Sequence, residues 1–171
     1  FKKAADANDT QAQMYCAAAY KFGFGVKKND DTARKYLIAA AKNNDSIAQY
    51  TLAEHFLDSR QLANKKLGLI WLNKAVGQGN PKAITLLGQL YAVGNGVVPK
   101  DLAKSKEMLA MAVDKNYIPA MYQMGELSLQ EKNPIAAKDW FTKAAKKDYS
   151  PAAIALSKLL TQPNTPYYDP K

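Results

Sequence analysis

The stretch NKKLGLIWLNKAVGQGNPKA, residues 64–83, decides the fold of this chain, because its pattern recurs three more times. The other copies occupy residues 29–48, 101–120 and 133–152, and the second half of the pattern also stands at residues 1–12. Self-similarity at a spacing of about 35 residues is typical of proteins built from stacked supersecondary units. We therefore interpret the chain as a repeat protein before considering any single motif.

Each copy carries the signals of one helix. The copies open on residues that can accept hydrogen bonds from the free N–H groups of a first helical turn, namely Asn29, Asn64, Asp101 and Asn133. Fifteen residues on stand the types that best tolerate the left-handed turn closing a helix: Asn44, Gly79, Asn116 and Asp148, with Asn8 in the leading fragment. Between them, small and large residues recur at offsets of three and four, which places them on one helix face.

A second helix is predicted between consecutive copies. It begins at an alanine that follows a capping residue or proline, and these alanines are Ala12, Ala48, Ala83, Ala120 and Ala152. Counting each alanine as position one, we expect positions one, five, eight and nine to point into the core. The predicted helices are 12–22, 30–43, 47–57, 65–78, 82–93, 102–115, 119–129, 134–147 and 151–161, after a fragment at 1–7.

These patterns predict an all-α fold, a right-handed α/α superhelix of about four to five helix pairs. The expected organisation is one solenoid over residues 1–171, with a half repeat at 1–11, repeats at 12–47, 48–82, 83–119 and 120–151, and a terminal helix and tail at 152–171. Because Phe1 lies inside a helix-like pattern, we expect the chain to be a fragment of a longer one. The three prolines of the tail exclude a regular helix, so Tyr167 and Tyr168 are expected either to cap the last helices or to be disordered.

Catalytic and metal chemistry find little support in the composition. The chain has one histidine and one cysteine, which is too few for a zinc site of ordinary type. His55 falls in a column that is otherwise apolar, so we expect it to be partly buried rather than to act as a base. Two loops carry a glycine pair, at 23–25 and 94–96, but a phosphate-binding loop needs a preceding strand. We expect no enzyme activity, no metal and no cofactor.

The charge leaves an alternative open. The net charge is +9, and lysine supplies all but two of the 24 basic residues, the exceptions being Arg34 and Arg60. Lysines can neutralise phosphate, but reading of bases relies on the arginine fork, which makes nucleic acid unlikely as a partner. The chain is thus either a solvated scaffold or a Lys-rich module that binds an anionic polymer, nucleic acid or membrane surface.

The columns resemble the Sel-like repeat family, which is related to tetratricopeptide repeats. The third repeat carries the most matching positions: Ala83, Leu87, Gly88, Tyr91, Gly94, Gly96, Val97 and Asp101. The first repeat keeps Gly23 and Gly25, whereas the second and fourth lack the glycine pair. The resemblance implies an α/α superhelix that serves as an adaptor without catalytic residues. A bacterial envelope, periplasmic or secreted location is favoured by this family resemblance alone.

By analogy with tetratricopeptide domains, the first helix of each repeat is expected to line a concave groove. Positions three, four, seven and ten would then face the groove, and the candidate residues for contact with a peptide or protein partner are Met14, Tyr15, Tyr50, Thr51, Glu54, Thr85, Gln89, Tyr122, Gln123 and Glu126. Aromatic rings beside amides suit an extended peptide, and the carboxylates favour a neutral or basic one. The alternative is that the tyrosines only half-cover neighbouring helices. The partner's identity and the oligomeric state stay open.

Overall fold

The computed structural model describes residues 1–161, and the tail with Tyr167 and Tyr168 lies outside that range. The described part contains ten helices and no strand, which confirms the all-α prediction. Their bounds lie within three residues of the predicted ones. The helices are α1 (Lys2–Asp6), α2 (Thr10–Phe22), α3 (Asp30–Lys42), α4 (Ser46–Leu57), α5 (Leu62–Gly77), α6 (Pro81–Val93), α7 (Leu102–Asp114), α8 (Ile118–Gln130), α9 (Pro134–Ala145) and α10 (Ser150–Thr161).

The chain divides into two compact units, Phe1–Ala83 and Ile84–Lys171. In the first unit α2 packs on α3 and α4 packs on α5, while α1 and α4 extend the stack on either side of the α2–α3 pair. In the second unit α8 packs between α7 and α9, and α10 covers α9. Within each unit, these helices thus pack on their neighbours in sequence, as short loops between helices favour.

Side-chain caps start three of the four repeated helices as predicted. Asn29, Asp101 and Asn133 each accept a hydrogen bond from the N–H three residues on, at 2.9–3.0 Å. The prediction for Asn64 is wrong, because α5 begins at Leu62 and Asn64 lies in its first turn. The loop before α5 lacks the glycine pair of the first and third repeats, so the helix begins two residues before Asn64. The Asn64 amide instead donates to Ser59 Oγ at 3.0 Å.

The predicted left-handed turns are confirmed at the end of every repeated helix. All five positions have positive φ, between 57° and 72°: Asn8, Asn44, Gly79, Asn116 and Asp148. The two glycine pairs also have positive φ and form helix-to-helix turns. The short loop before α9 uses Lys132 in the same conformation, which no sequence signal indicated.

In the second, third and fourth repeats, the two helices of a pair meet at a residue without a side chain. A β-carbon added to Gly125 on α8 would overlap with Phe141 Cε1 on α9. The same addition at Gly88 would stand 3.0 Å from Leu109 Cγ, and at Gly68 it would stand 2.8 Å from Leu57 Cγ. Since packed carbons are separated by about 3.5–4.0 Å, a larger residue at any of these positions requires the neighbouring atoms to shift.

Two buried glutamines of the first unit form hydrogen bonds with the turn that precedes their own helix. Gln49, at position two of its helix, is 1% exposed and donates to Ala41 O at 3.1 Å and to Asn44 Oδ1 at 3.2 Å. Its Oε1 accepts from Gln78 Nε2 at 2.7 Å. Gln13 makes the equivalent bonds one repeat earlier, with Asn43 as the donor to its Oε1. Position two was not predicted to be buried, yet it is buried in the first four repeats.

The closing turn of α5 provides a first test. We expect Gly79→Val to lower the free energy of unfolding by ~1 kcal/mol or more, because a β-branched residue resists positive φ. The matched control is Gly79→Asn, since Asn44 and Asn116 occupy the equivalent turns at φ 66° and 57°. Urea unfolding followed by circular dichroism measures both variants. Equal losses for valine and asparagine would contradict the argument.

The close contact at Gly125 provides a second test. We expect Gly125→Ala to cost ~1–3 kcal/mol, because the added methyl group would meet the fully buried ring of Phe141. Adding Phe141→Leu recreates the Ala53 and Leu72 pairing of the second repeat, so the double variant should lose less than the two single losses combined. Gly77→Ala is the control, because nothing lies within 4 Å of an added β-carbon there. Simple additivity in the double variant would count against a steric origin.

Candidate functional site

A cleft of about 320 Å³ lies in the first unit, between α2, α3 and α4. It is lined by Met14, Ala17, Ala18, Lys21, Phe22, Asp30, Ala33, Arg34, Leu37, Thr51, Leu52 and His55. Its floor is apolar and firmly packed, since Ala17, Ala33 and Leu52 are buried. The volume stands at the lower end of the ~300–1,000 Å³ that is usual for ligand pockets. The cleft is therefore of a size for one or two side chains rather than for a large cofactor.

The rim of the cleft is mainly cationic. Lys21 Nζ lies 3.2 Å from Asp30 Oδ1 and donates a hydrogen bond to it, and this bond holds the pKa of the Asp30 carboxyl below 3.8. Arg34 stands on the same side with Asp31 as a distant partner, 4.0 Å away. With Asp30 engaged by Lys21, the guanidinium of Arg34 and the imidazole of His55 are the groups most open to a ligand.

The structure places only two of the ten predicted groove residues in this cleft, Met14 and Thr51. Tyr15 is 52% exposed and its ring lies 5.3 Å from that of Phe1. Tyr50 and Glu54 bond to each other along α4, with the phenol donating to the carboxylate at 2.5 Å. These pairs leave Tyr15 and Tyr50 outside the cleft lining but on neighbouring surface of the first unit.

In the second unit the predicted residues are less accessible. Thr85 is only 5% exposed, so the expectation that it faces a groove is wrong. The ring of Tyr122 packs 5.6 Å from that of Phe141 and 5.8 Å from that of Tyr149. Burial raises the pKa of Tyr122. The nearby carboxylate of Glu126, which accepts a hydrogen bond from the Tyr122 hydroxyl, raises this pKa further. The remaining candidates are half-buried, namely Gln89, Gln123 and Glu126.

His55 is exposed, contrary to the expected partial burial. Its ring stands edge-on to Phe56, 5.8 Å away, and faces the cleft. The column is apolar in other repeats because leucine packs there, but in α4 the same position looks toward the opening between α2 and α4. Lys21 stands at position ten of its helix, a position expected to face the groove, so sequence periodicity could have found it. Arg34 comes from the other helix of the pair and had no such signal.

Groups of metal ligands and long apolar helices are both absent from residues 1–161. Across this range no three His, Cys, Asp or Glu side chains come together as a set of metal ligands. Within the same residues, none of the helices is long and apolar enough to cross a bilayer.

Comparison with protein families gives one repeat model over most of the chain. The model described as Sel1 repeat matches residues 10–45, 46–80, 81–117 and 118–149. An uncharacterized protein of Neisseria meningitidis serogroup B is 31% identical over 137 residues, which are 80% of this chain and 29% of that protein. An alginate biosynthesis protein, AlgK, of Pseudomonas syringae is 29% identical over 145 residues, which are 82% of this chain and 30% of that protein. The chain thus spans about a third of the length of these relatives.

Solved structures show the same fold. The protective antigen c5321 of uropathogenic Escherichia coli, which displays an SLR fold, matches with a TM-score of 0.81 and 26% identity, over 94% of this chain and 35% of that one. A Sel1 repeat protein from Oxalobacter formigenes matches with a TM-score of 0.82 and 24% identity, over 99% of this chain and 71% of that one.

The ion pair at the rim gives a test by titration. We expect the Asp30 carboxyl to titrate below 3.8, and Lys21→Met to return its pKa toward that value, because Lys21 supplies the main stabilisation of the carboxylate. Since the folded pKa is the lower one, this contribution to stability is present above about 3.8 and is lost as the pH falls through the lowered pKa. Carbon-detected NMR of the carboxyl measures the titration. Lys28→Met is the control, because Lys28 acts only at a distance, and a larger shift from it would refute the assignment.

Proposed function

Because the chain belongs to the Sel1 repeat family, whose members are generally scaffolds for protein–protein interaction, we propose that it is a non-catalytic adaptor. We place the partner's contact in the cleft between α2, α3 and α4, which would receive a peptide segment of a partner protein. The observation that carries this proposal is the combination in one concavity of an apolar floor and a polar rim drawn from three helices.

The cleft suits one apolar anchor side chain. Met14, Leu37 and Leu52 would surround it, and such a buried anchor supplies most of the affinity in peptide recognition. Met14 is unbranched and polarizable, so it can adapt to side chains of different shape. A groove that continued along α4 would bring the peptide past Tyr50 and Glu54, which were among the predicted contacts.

The rim adds a preference for charge. The sequence favoured a neutral or basic ligand because of Glu54 and Glu126, but Glu54 is engaged by Tyr50 and neither carboxylate lines the cleft. Arg34 and His55 stand at the opening instead, so a peptide with its anchor flanked by a carboxylate would be electrostatically complementary. This part of the proposal predicts weaker binding at higher salt, since the rim is exposed.

A location in the bacterial envelope or outside the cell goes with the proposal. The relatives are bacterial, and they include an alginate biosynthesis protein and a protective antigen. Fractionation of the source cells, with antibodies against this chain, tests the location directly.

Blocking the cleft tests the binding proposal. Peptides selected from a displayed random library on the wild-type chain serve as ligands, and calorimetry measures their affinity. We expect Ala18→Tyr to weaken binding at least ~10-fold, which corresponds to ~1.4 kcal/mol, because Ala18 is exposed and its new ring would fill the cleft. Ala103→Tyr, at an exposed alanine of α7, is the matched control and should bind as the wild type does.

A second variant tests how far the binding surface extends. Tyr50→Ala should weaken the same peptides if they continue along α4, whereas Tyr122→Ala is unsuitable because its ring packs on the buried Phe141. Undiminished affinity in Ala18→Tyr would overturn the placement in the cleft. Failure of any peptide to bind the wild-type chain would overturn the adaptor role itself.

A further inference from the structure

The turn between α2 and α3 exposes more apolar surface than its conformation requires. Phe22 is 66% exposed and Phe24 is 69% exposed, and their rings lie 5.5 Å apart, so they contact each other. Val26 follows on the same turn and is also exposed. The backbone at Gly25 stands clear of the rest of the chain, with nothing within 4 Å of an added β-carbon. We call residues 22–28 the aromatic loop.

Lysines stand next to the aromatic side chains. Lys27 and Lys28 are exposed and directly follow Val26, and among residues 1–161 neither forms an ion pair. The nearest acidic residues on the chain are engaged elsewhere, Asp30 with Lys21 and Asp31 with Arg34. The aromatic loop therefore combines an exposed apolar tip with two lysines that belong to no ion pair of residues 1–161.

The equivalent loop in the third repeat shows that the turn does not need the aromatic residues. There Asn95 takes the place of Phe24, between glycines of the same positive φ. Its Oδ1 accepts hydrogen bonds from the N–H of Val97 at 3.1 Å and of Val98 at 2.8 Å, and Val98 is buried. In the third repeat, the Asn95 side chain thus bonds to the backbone of its own loop. In the first repeat, Phe24 contributes only an exposed ring. A substitution that the fold does not require points to an external contact.

We propose that the aromatic loop binds the interface of an anionic lipid bilayer, with Phe24 entering the boundary of the acyl chains and Lys27 and Lys28 contacting the headgroup phosphates. Aromatic rings beside lysines are the side chains favoured at this boundary, where an apolar body and a charged flank meet both layers. The tip of the loop is exposed, with nothing within 4 Å of a β-carbon added at Gly25, which suits a broad soft surface better than the pocket of a protein. Neighbouring lysines add attraction to a negatively charged leaflet.

This inference does not depend on the cleft, so its test uses residues outside it. Vesicles of phosphatidylcholine with phosphatidylglycerol, and vesicles of phosphatidylcholine alone, are sedimented with the whole chain and the bound fraction is measured. We expect binding to the phosphatidylglycerol vesicles only, falling as salt rises. Phe24→Asn, which copies the third-repeat loop, should reduce the partition coefficient about five-fold or more, since the buried ring area is lost.

Matched variants separate the loop from general charge and general apolar exposure. Replacing Lys27 and Lys28 by Gln should reduce binding about as strongly, while the same change at the exposed pair Lys146 and Lys147 should not. Phe1→Ser removes an exposed ring outside the loop and should leave binding unchanged. Ala18→Tyr should bind vesicles as the wild type does, even where it abolishes peptide binding.

Three results would overturn the inference. The first is that the wild-type chain leaves both kinds of vesicle unbound. The second is that Phe24→Asn binds phosphatidylglycerol vesicles as strongly as the wild type, which would remove insertion from the account. The third is that soluble polyglutamate binds as tightly as the vesicles and shows the same loss in Phe24→Asn, which would assign the loop to an acidic protein.

Discussion

In the second, third and fourth repeats, the two helices of a pair approach so closely that one of the facing residues has no room for a β-carbon. In the fourth repeat that residue is Gly125, beneath the ring of Phe141, and in the second repeat it is Gly68, beneath Leu57. The alanines at position one of their helices are packed as tightly, since Ala48, Ala120 and Ala152 are fully buried. The smaller of the two facing residues can belong to either helix, because close packing fixes only the combined size of the two.

The two units meet the same spatial requirement with different chemistry. In the first, position two holds Gln13 and Gln49, and each is satisfied by three side-chain hydrogen bonds, so its burial costs little. In the second, Ile84 and Met121 fill the position with apolar surface. The glutamine amides also make the packing directional, since they form these hydrogen bonds only when the neighbouring turn is in its folded position. Ser105 is an exception among the buried polar side chains. Within residues 1–161, its Oγ is the one buried side-chain nitrogen or oxygen atom without a hydrogen-bond partner.

Local signals explain why so much of the fold was predictable from the sequence. Helix existence and left-handed turns depend on residues within one turn, so Asn44 and Gly79 indicated their conformation directly. The errors fall where a distant residue decides the outcome. Gln49 is bonded by Gln78 from the other helix of its own repeat, 29 residues on, and the burial of Thr85 likewise had no local signal. The cleft was only half predicted, because position ten of α2 could supply Lys21 while Arg34 on α3 had no corresponding signal.

Helix α2 connects the two proposed binding surfaces of the first unit. Phe22, its last residue, lines one end of the cleft and also contacts Phe24 at the tip of the aromatic loop. A bilayer bound to the loop would therefore lie at that end of the cleft, next to the Lys21 and Asp30 pair. A peptide in the cleft would then run toward the membrane surface, where a partner anchored in the same bilayer presents its chain at high effective concentration. Such an arrangement would let two weak contacts, each of small area, hold one partner.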